Sequence, residues 1–236
     1  MEKNKTGKYL KYAIGEILLV VIGILIAIQL NEWRNDTVNS KQKQNVLKSL
    51  QAEFKSNISQ LDTVLYYNAK ILKAYPKVME FIKSQDVNVE EEAFFEHVKN
   101  LGYTWSFDPI NGALRSGISS GEIHLIKNDR LLELLFSWED VVKDSEEEYQ
   151  KILNHQVSSF PLLQKYFRIG DVWKSYFPGL IQSNFSSNYA GLIKDVLFED
   201  YVTFCFIWAT EYKTELNIIK TNNLEILALI DEELLK

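Results

Sequence analysis

Four polar side chains near the middle of the chain are the best candidates for chemistry. They lie in the passage from Trp105 to Arg130, which contains one proline and three glycines. Side chains that bind or react are often carried by loops held on a rigid scaffold. Charged groups beside an imidazole suit a polar ligand or proton transfer. The passage therefore predicts a polar site composed of Arg115, Glu122, His124 and Asp129.

The other parts that an enzyme needs do not accompany these residues. The histidines His97, His124 and His155 are far apart in sequence, and none stands at a metal-ligand spacing. The pair Ser119-Ser120 lacks the context of a nucleophile elbow. Without a nucleophile, a phosphate loop or a metal set, we expect no catalytic activity, no metal and no cofactor.

Helical periodicity predicts the element that precedes the passage. Apolar residues recur at spacings of three and four from Leu47 to Tyr75, and Pro76 should end or kink this helix. Asn57 and Asn68 fall in the same stripe, where burial without partners would be costly. They could be hydrogen-bonded or partly exposed, could set the register of an oligomer, or could line a hydrated interior.

Further helices are predicted on either side. One begins near Val89, a short one covers Ile110–Ser116, and Asn128 should cap another over Asp129–Leu153. The final helix starts near residue 189 or 195, ends at Leu235 and should pack antiparallel to the first long helix. The fold class is therefore all-α: an N-terminal transmembrane helix followed by a helical-bundle domain of long antiparallel helices.

The apolar stretch near the amino terminus predicts that transmembrane helix over residues 12–33. Roughly 20 apolar residues span the hydrocarbon core of a bilayer, and Tyr12 and Trp33 stand where aromatic rings favour the interface. The polar stripe of a soluble amphipathic helix is missing between Ile17 and Ile28. A cleaved signal peptide is the competing interpretation, but no small-x-small cleavage site follows, so we expect an uncleaved signal anchor.

Flanking charge predicts the orientation. Four lysines crowd the nine positions from Lys3 to Lys11, whereas Arg34 is the one basic residue in the first ten after Leu30. Cytoplasmic flanks carry the excess of basic residues, so residues 1–11 should form a cytoplasmic tail. Residues 34–45 then form a helical stalk, and residues 46–236 form an extracytoplasmic α-helical domain. In a bacterium, the membrane would be the inner membrane and the domain would be periplasmic.

One face of the span predicts a partner. Glu16, Gly23 and Ala27 fall within about 20° of a single line down the helix. Small residues four apart permit close helix packing, and a carboxylate at membrane depth favours a partner over lipid. We expect this face to pack against another transmembrane helix, from a second copy or a different protein. Alternatively, Glu16 reaches the interface near Lys8 and Lys11.

The net charge and the cysteine content limit which classes of function remain possible. The chain carries a net charge of −6; residues 1–40 contribute +1, which leaves −7 on the remaining 196 residues. An acidic domain without a basic patch argues against nucleic acid as a partner. Cys205 is the one cysteine and is expected to be a small buried apolar residue.

The span and the passage together resemble a known family. Residues 11–33 read KYAIGEILLVVIGILIAIQLNEW, and Ser116-Gly-Ile and Ile123-His-Leu-Ile-Lys-Asn-Asp129 follow. The pattern is similar to an uncharacterised family of single-span membrane proteins of Bacteroidota, closely over the first 33 residues and more loosely from Tyr103 to Trp138. The resemblance implies a bacterial membrane protein with an α-helical domain and no stated activity. The glycine and glutamate positions of that family's span correspond to Gly15, Glu16 and Gly23.

Three classes of function remain. The first is a membrane-anchored helical module that binds a protein or small ligand for interaction or sensing. The second is a structural membrane subunit that oligomerises through its span, and the third is an enzyme that uses the passage 105–130. Because no catalytic motif is present, we expect the first, with the lipid bilayer and another transmembrane helix as partners.

Overall fold

The computed structural model is helical, without a strand, across the residues it describes: 5–85, 91–174, 177–181 and 183–236. The all-α prediction is confirmed. The described side chains begin at Ile14. The helices are α1 (Lys5–Ser84), α2 (Glu91–Leu101), α3 (Gly112–Ser120), a 3₁₀ helix (Glu122–Leu125), α4 (Asp129–Tyr166), α5 (Ile169–Trp173), α6 (Tyr189–Leu192) and α7 (Val196–Leu234).

Helix α1 is continuous over 80 residues. The predicted span, stalk and first packed helix are therefore parts of one element. Pro76 lies inside α1 and does not end it. A proline inside a helix removes one hydrogen bond at a cost of about 3 kcal/mol. Val78 and Ile82 are buried in the next turns, and their packing favours continuation to Ser84.

Helix α7 lies antiparallel to α1, as predicted. Contacts pair early residues of α1 with late residues of α7: Lys43 binds Glu233, and Asp62 binds Lys220 at 2.7 Å. Further along, the Asn68 amide donates to the Ala209 carbonyl at 3.1 Å. Helix α4 packs against α7 and completes the bundle.

The buried side chains that the structure describes form two core groups. The lower core joins residues 46–64 of α1 to α3, the start of α4 and the second half of α7, with Trp138 edge-on to Phe54 at 4.9 Å between ring centroids. The upper core joins residues 71–82 of α1 to α2, the end of α4, α6 and the first half of α7. Among the described side chains, the first buried in α1 are Val46 and Leu47.

Several predicted helix bounds need correction. Helix α4 continues past Leu153 to Tyr166, because Ile152, Leu163 and Tyr166 maintain its buried face. Helix α3 occupies Gly112–Ser120 instead of Ile110–Ser116, since Ile110 is held by a side chain of α1. The predicted start near Val89 lies outside the described residues. Asn128 caps α4 as predicted, accepting the Leu131 N–H at 3.0 Å.

Candidate functional site

The four predicted polar residues all lie at one end of the domain. Gly117 of α3 faces Val46, and a Cβ added there would lie 3.7 Å from Cγ1 of Val46. The apolar segment of α1 is the stretch 12–30, which ends at Leu30. Because Val46 follows Leu30 by 16 residues, Val46 lies about 24 Å along α1 from the end of the apolar segment. We call this end of the domain the domain base. Helix α3 therefore lies in the part of the domain that faces the apolar segment.

The structure places these residues on the surface and does not join them to one another. Arg115 donates to Glu139 at 2.8 Å, and both side chains are more than half exposed. His124 is exposed beside the Phe136 ring. Within the described residues, no hydrogen bond or ion pair links two of Arg115, Glu122, His124 and Asp129. The arrangement suits recognition by charge, and a role for the four as one site stays a prediction.

A buried carboxylate of α1 holds the passage in place. Glu53 is 7% exposed, and its two oxygens accept the N–H groups of Ala113 at 2.6 Å and Leu114 at 3.0 Å. These N–H groups open α3, where a negative charge also suits the helix dipole. Asn111, the residue before α3, makes no side-chain cap and instead accepts the Trp138 indole N–H at 3.0 Å. Glu53 therefore caps α3 from a different helix.

A buried amide adds a second attachment one turn further along. Asn57 is 1% exposed, donates to the Ile110 carbonyl at 2.9 Å and accepts the Ile110 N–H at 2.8 Å. Of the alternatives for this asparagine, the hydrogen-bonded one is present. Glu53 is not among the site residues predicted from the sequence, although Leu50, Glu53 and Asn57 follow the helical spacing of the core stripe. A carboxylate at a core-facing position of α1 was the feature of the sequence that could have indicated this role.

Ion pairs join the end of α7 to α1 at the domain base, and we call the group Lys43, Glu233 and Lys236 the clasp. Glu233 near the end of α7 is 3% exposed and binds Lys43 of α1 at 3.1 Å as well as Lys236. Gln51 of α1 also donates to Asp231. Hydrogen bonds from Lys236 and Lys43 lower the pKa of the Glu233 carboxyl below its ordinary value, against the opposing effect of burial. The carboxyl end of the chain is thus fixed beside the point where α1 leaves the domain.

Among the residues that the structure describes, nothing packs against the apolar segment of α1. Glu16, Gly23 and Ala27 are exposed, and a Cβ added at Gly23 would meet no atom within 4 Å. Trp33 is 69% exposed, whereas the side chain of Tyr12 lies outside the described ones. In the described part of the chain, one helix is long and apolar enough to cross a membrane by length and composition.

Comparison with known proteins places this architecture in a family. A family described as a family of unknown function, DUF6090, matches residues 16–168. The chain belongs to this family. No curated protein and no solved structure matches the chain.

The DUF6090 match covers most of the features described above. It begins at Glu16 in the apolar segment, includes Glu53, Asn57 and the passage 105–130, and ends just after α4. Helix α7 lies outside the matched residues, although it packs along both α1 and α4. The expected resemblance to an uncharacterised family is confirmed, and DUF6090 membership assigns no activity.

Cys205, which lies outside the DUF6090 match, and His155, which lies within it, both contact Tyr201 of α7. Cys205 is 4% exposed, as expected, and burial raises the pKa of its thiol to about 12. The thiol therefore stays protonated at neutral pH and is a poor nucleophile. His155 Nε2 lies 3.1 Å from the Tyr201 carbonyl and its ring stacks on Tyr201. Across the described residues, no three His, Cys, Asp or Glu side chains are grouped to hold a metal ion.

The clasp predicts a pH dependence of stability. The folded pKa of Glu233 lies below its unfolded value of about 4.3, so its contribution is present above that value and is lost as pH falls through the folded pKa. Glu233→Gln should lower the free energy of unfolding by about 1–2 kcal/mol at neutral pH. The gap from the parent should close below about pH 4. Urea unfolding of the parent and of Glu233→Gln, from neutral pH to below about pH 4, measures this difference in the free energy of unfolding.

The neighbouring Glu232 supplies the matched control, because it is exposed. Glu232→Gln should change the free energy of unfolding by less than about 0.5 kcal/mol at every pH. A gap for Glu233→Gln that stays constant into acid would show that the carboxylate charge does not stabilise the clasp.

Proposed function

We propose that this DUF6090 protein is a single-pass bacterial inner-membrane protein whose helical domain is an interaction or sensory module. The observation that carries the proposal is the continuity of α1 from the apolar segment into the core. An unbroken helix is stiff compared with a flexible linker. A partner or ligand that displaces the domain base would therefore displace the span as well.

The proposed topology rests on the lysines before the span and on the resemblance to membrane proteins of Bacteroidota. The amino terminus is cytoplasmic, the span is an uncleaved signal anchor, and the domain is periplasmic. A phosphatase fused to the carboxyl terminus should be active, and a reporter that needs the cytoplasm should be inactive. The reverse pattern would contradict the topology.

The proposal assigns no catalytic step to the passage 105–130. Its charged residues, Arg115 with Glu139 and Arg130 with Glu225, form exposed ion pairs that suit recognition of a protein surface. Alanine substitutions at Arg115 and His124 test this surface. If the variants melt at the same temperature as the parent but no longer crosslink to its partner protein, this surface is part of the interface. If they still crosslink to the partner, these residues are not part of the interface.

Crosslinking followed by mass spectrometry, on the full chain in its native membrane, tests the module itself. Recovery of a specific foreign protein supports an interaction or sensory subunit. Recovery only of crosslinks between two copies of this chain, through the apolar segment, contradicts the interaction module. That result favours a second candidate function.

That second candidate is a structural subunit that oligomerises through its span. It is supported by the face of Glu16, Gly23 and Ala27, which is exposed in the described part of the chain, with open space beside Gly23. Leucine at Gly23 blocks close helix approach and leucine at Glu16 removes the polar partner. If these substitutions leave crosslinked oligomers unchanged, packing through this face is wrong.

A further inference from the structure

A loop with exposed apolar side chains connects α5 to α6 in the upper half of the domain. We call its described residues, 177–181 and 183–188, the upper loop. Ile181 is 92% exposed and Phe185 is 75% exposed, and both Phe177 and Leu180 are exposed as well. Large apolar residues usually lie in a core. A group of them exposed within nine positions indicates a protein or membrane interaction site.

Backbone hydrogen bonds hold the upper loop at both ends. The Phe177 N–H donates to the Trp173 carbonyl at 3.1 Å, and the Leu180 N–H then donates to the Phe177 carbonyl at 2.9 Å and closes a turn. At the other end, the Asn188 N–H donates to the Tyr166 carbonyl at 2.5 Å. The exposed side chains are therefore presented by a backbone that is tied to α5 and to the end of α4.

The part of the chain that contains the upper loop is basic. Residues 149–194 carry a net charge of +4, although the whole chain carries −6. Lys174 and Lys194 flank the upper loop and are exposed. The next acid along the chain, Asp195, is paired with Lys165 at 3.4 Å. The ionised residues of 149–194 are five bases, Lys151, Lys165, Arg168, Lys174 and Lys194, and one acid, Asp171. This charge favours an anionic partner.

We propose that the upper loop docks on an anionic lipid bilayer other than the one that holds the span. Its exposed apolar side chains enter the boundary between headgroups and acyl chains, where phenylalanine and aliphatic side chains of peripheral proteins lie. Ser183, Asn184 and Ser186 stay at the level of the headgroups. The flanking lysines lie over the negatively charged surface and strengthen the binding.

Shape favours lipid over a folded protein as the occupant. Ile181, with only 8% of its surface covered, projects from the loop instead of lining a groove. A protein interface needs a complementary surface for each such side chain. A bilayer interface accepts a projecting apolar side chain without a matching pocket, and anionic lipid adds the attraction for the basic segment.

Distance along α1 indicates a second lipid surface. The upper loop joins α5 to α6, and α6 packs in the upper core with residues 71–82 of α1. Ile71 follows Leu30 by 41 residues, so it lies about 60 Å along the helix from the end of the apolar segment. Because α1 is continuous between these points, the upper loop is held away from the membrane that contains the span. The chain then links two lipid surfaces.

The inference goes beyond the proposed function, and it uses neither the passage 105–130 nor the orientation of the span. A reversed topology in the fusion experiment would leave docking on added vesicles unchanged. Failure of docking would leave the topology and the partner crosslinks unchanged. The two proposals therefore fail independently.

Flotation of the full chain with vesicles tests the docking. The chain is held in zwitterionic nanodiscs, so its span is already occupied, and vesicles made of equal parts phosphatidylglycerol and phosphatidylcholine are added. We expect the nanodiscs to float with these vesicles, and at least roughly fivefold less with vesicles of phosphatidylcholine alone. Empty nanodiscs provide the blank. Absence of flotation, or equal flotation with both kinds of vesicle, would overturn the proposal.

Substitutions in the upper loop localise the docking. Replacing both Ile181 and Phe185 with serine should weaken flotation at least roughly tenfold, because two large apolar side chains no longer enter the bilayer. The melting temperature should not change, since both side chains are exposed. Leu235→Ser is the matched control; Leu235 is 90% exposed and lies at the domain base. Undiminished flotation of the double variant, or equal weakening by Leu235→Ser, would contradict docking through the upper loop.

A second copy of the chain is the occupant that the same variants exclude or reveal. Mass photometry of the parent nanodiscs without vesicles should show single discs. Paired discs that separate in the Ile181→Ser, Phe185→Ser variant would show that the upper loop binds another copy, and the lipid proposal would be wrong.

Discussion

Replacing Glu53 with alanine is expected to lower the free energy of unfolding by about 3 kcal/mol. The substitution leaves the N–H groups of Ala113 and Leu114 without their acceptor in a buried environment. Hydrogen bonds to a charged group contribute about 1.5–3 kcal/mol each, and water that enters the site offsets part of the loss. Glu53→Gln retains one acceptor oxygen and should cost roughly half as much. Urea unfolding of the full chain in detergent measures both.

Glu80→Ala is the matched control for this experiment. Glu80 lies on the same helix, is 74% exposed and pairs with Lys77 at 3.6 Å. An exposed ion pair of this kind contributes about 0–1 kcal/mol. If Glu53→Ala is no more destabilising than Glu80→Ala, the carboxylate is not what anchors the passage 105–130 to α1.

The role of Glu53 also shows where inference from the sequence ends. Helical spacing correctly predicts which residues of α1 face the core, including Leu50, Phe54 and Leu61. The same spacing places Glu53 on that face, but periodicity does not reveal what a buried carboxylate binds. Its partners lie 60 and 61 positions along the chain. Pairing across such a distance depends on how the helices pack, which a pattern within one helix does not contain.

The helix ends show a related limit. Local chemistry predicts the cap at Asn128 correctly, because a cap depends on residues three positions apart. The continuation of α1 through Pro76 depends instead on the partners of Val78 and Ile82 in the upper core. These deciding contacts are long-range.

A proline in the stalk is expected to uncouple the domain from the span. We expect spin labels at Arg34→Cys and Ala52→Cys to report a narrow distance near 27 Å, because 18 residues of α-helix rise about 27 Å. Adding Lys41→Pro between them should broaden the distribution and shift its maximum, since an interior proline costs the helix about 3 kcal/mol. Pulsed electron spin resonance of the chain in nanodiscs measures the distance.

The controls separate loss of coupling from loss of folding. Lys41→Ala, which preserves the helix, should keep the narrow distance. The native Cys205 should take up no label in the folded protein, because it is buried and its thiol pKa is raised. The Lys41→Pro domain should melt with the parent, since Lys41 is exposed and precedes the core. A broad distribution in the parent would mean that α1 is not one rigid element, and the sensory proposal would lose its basis.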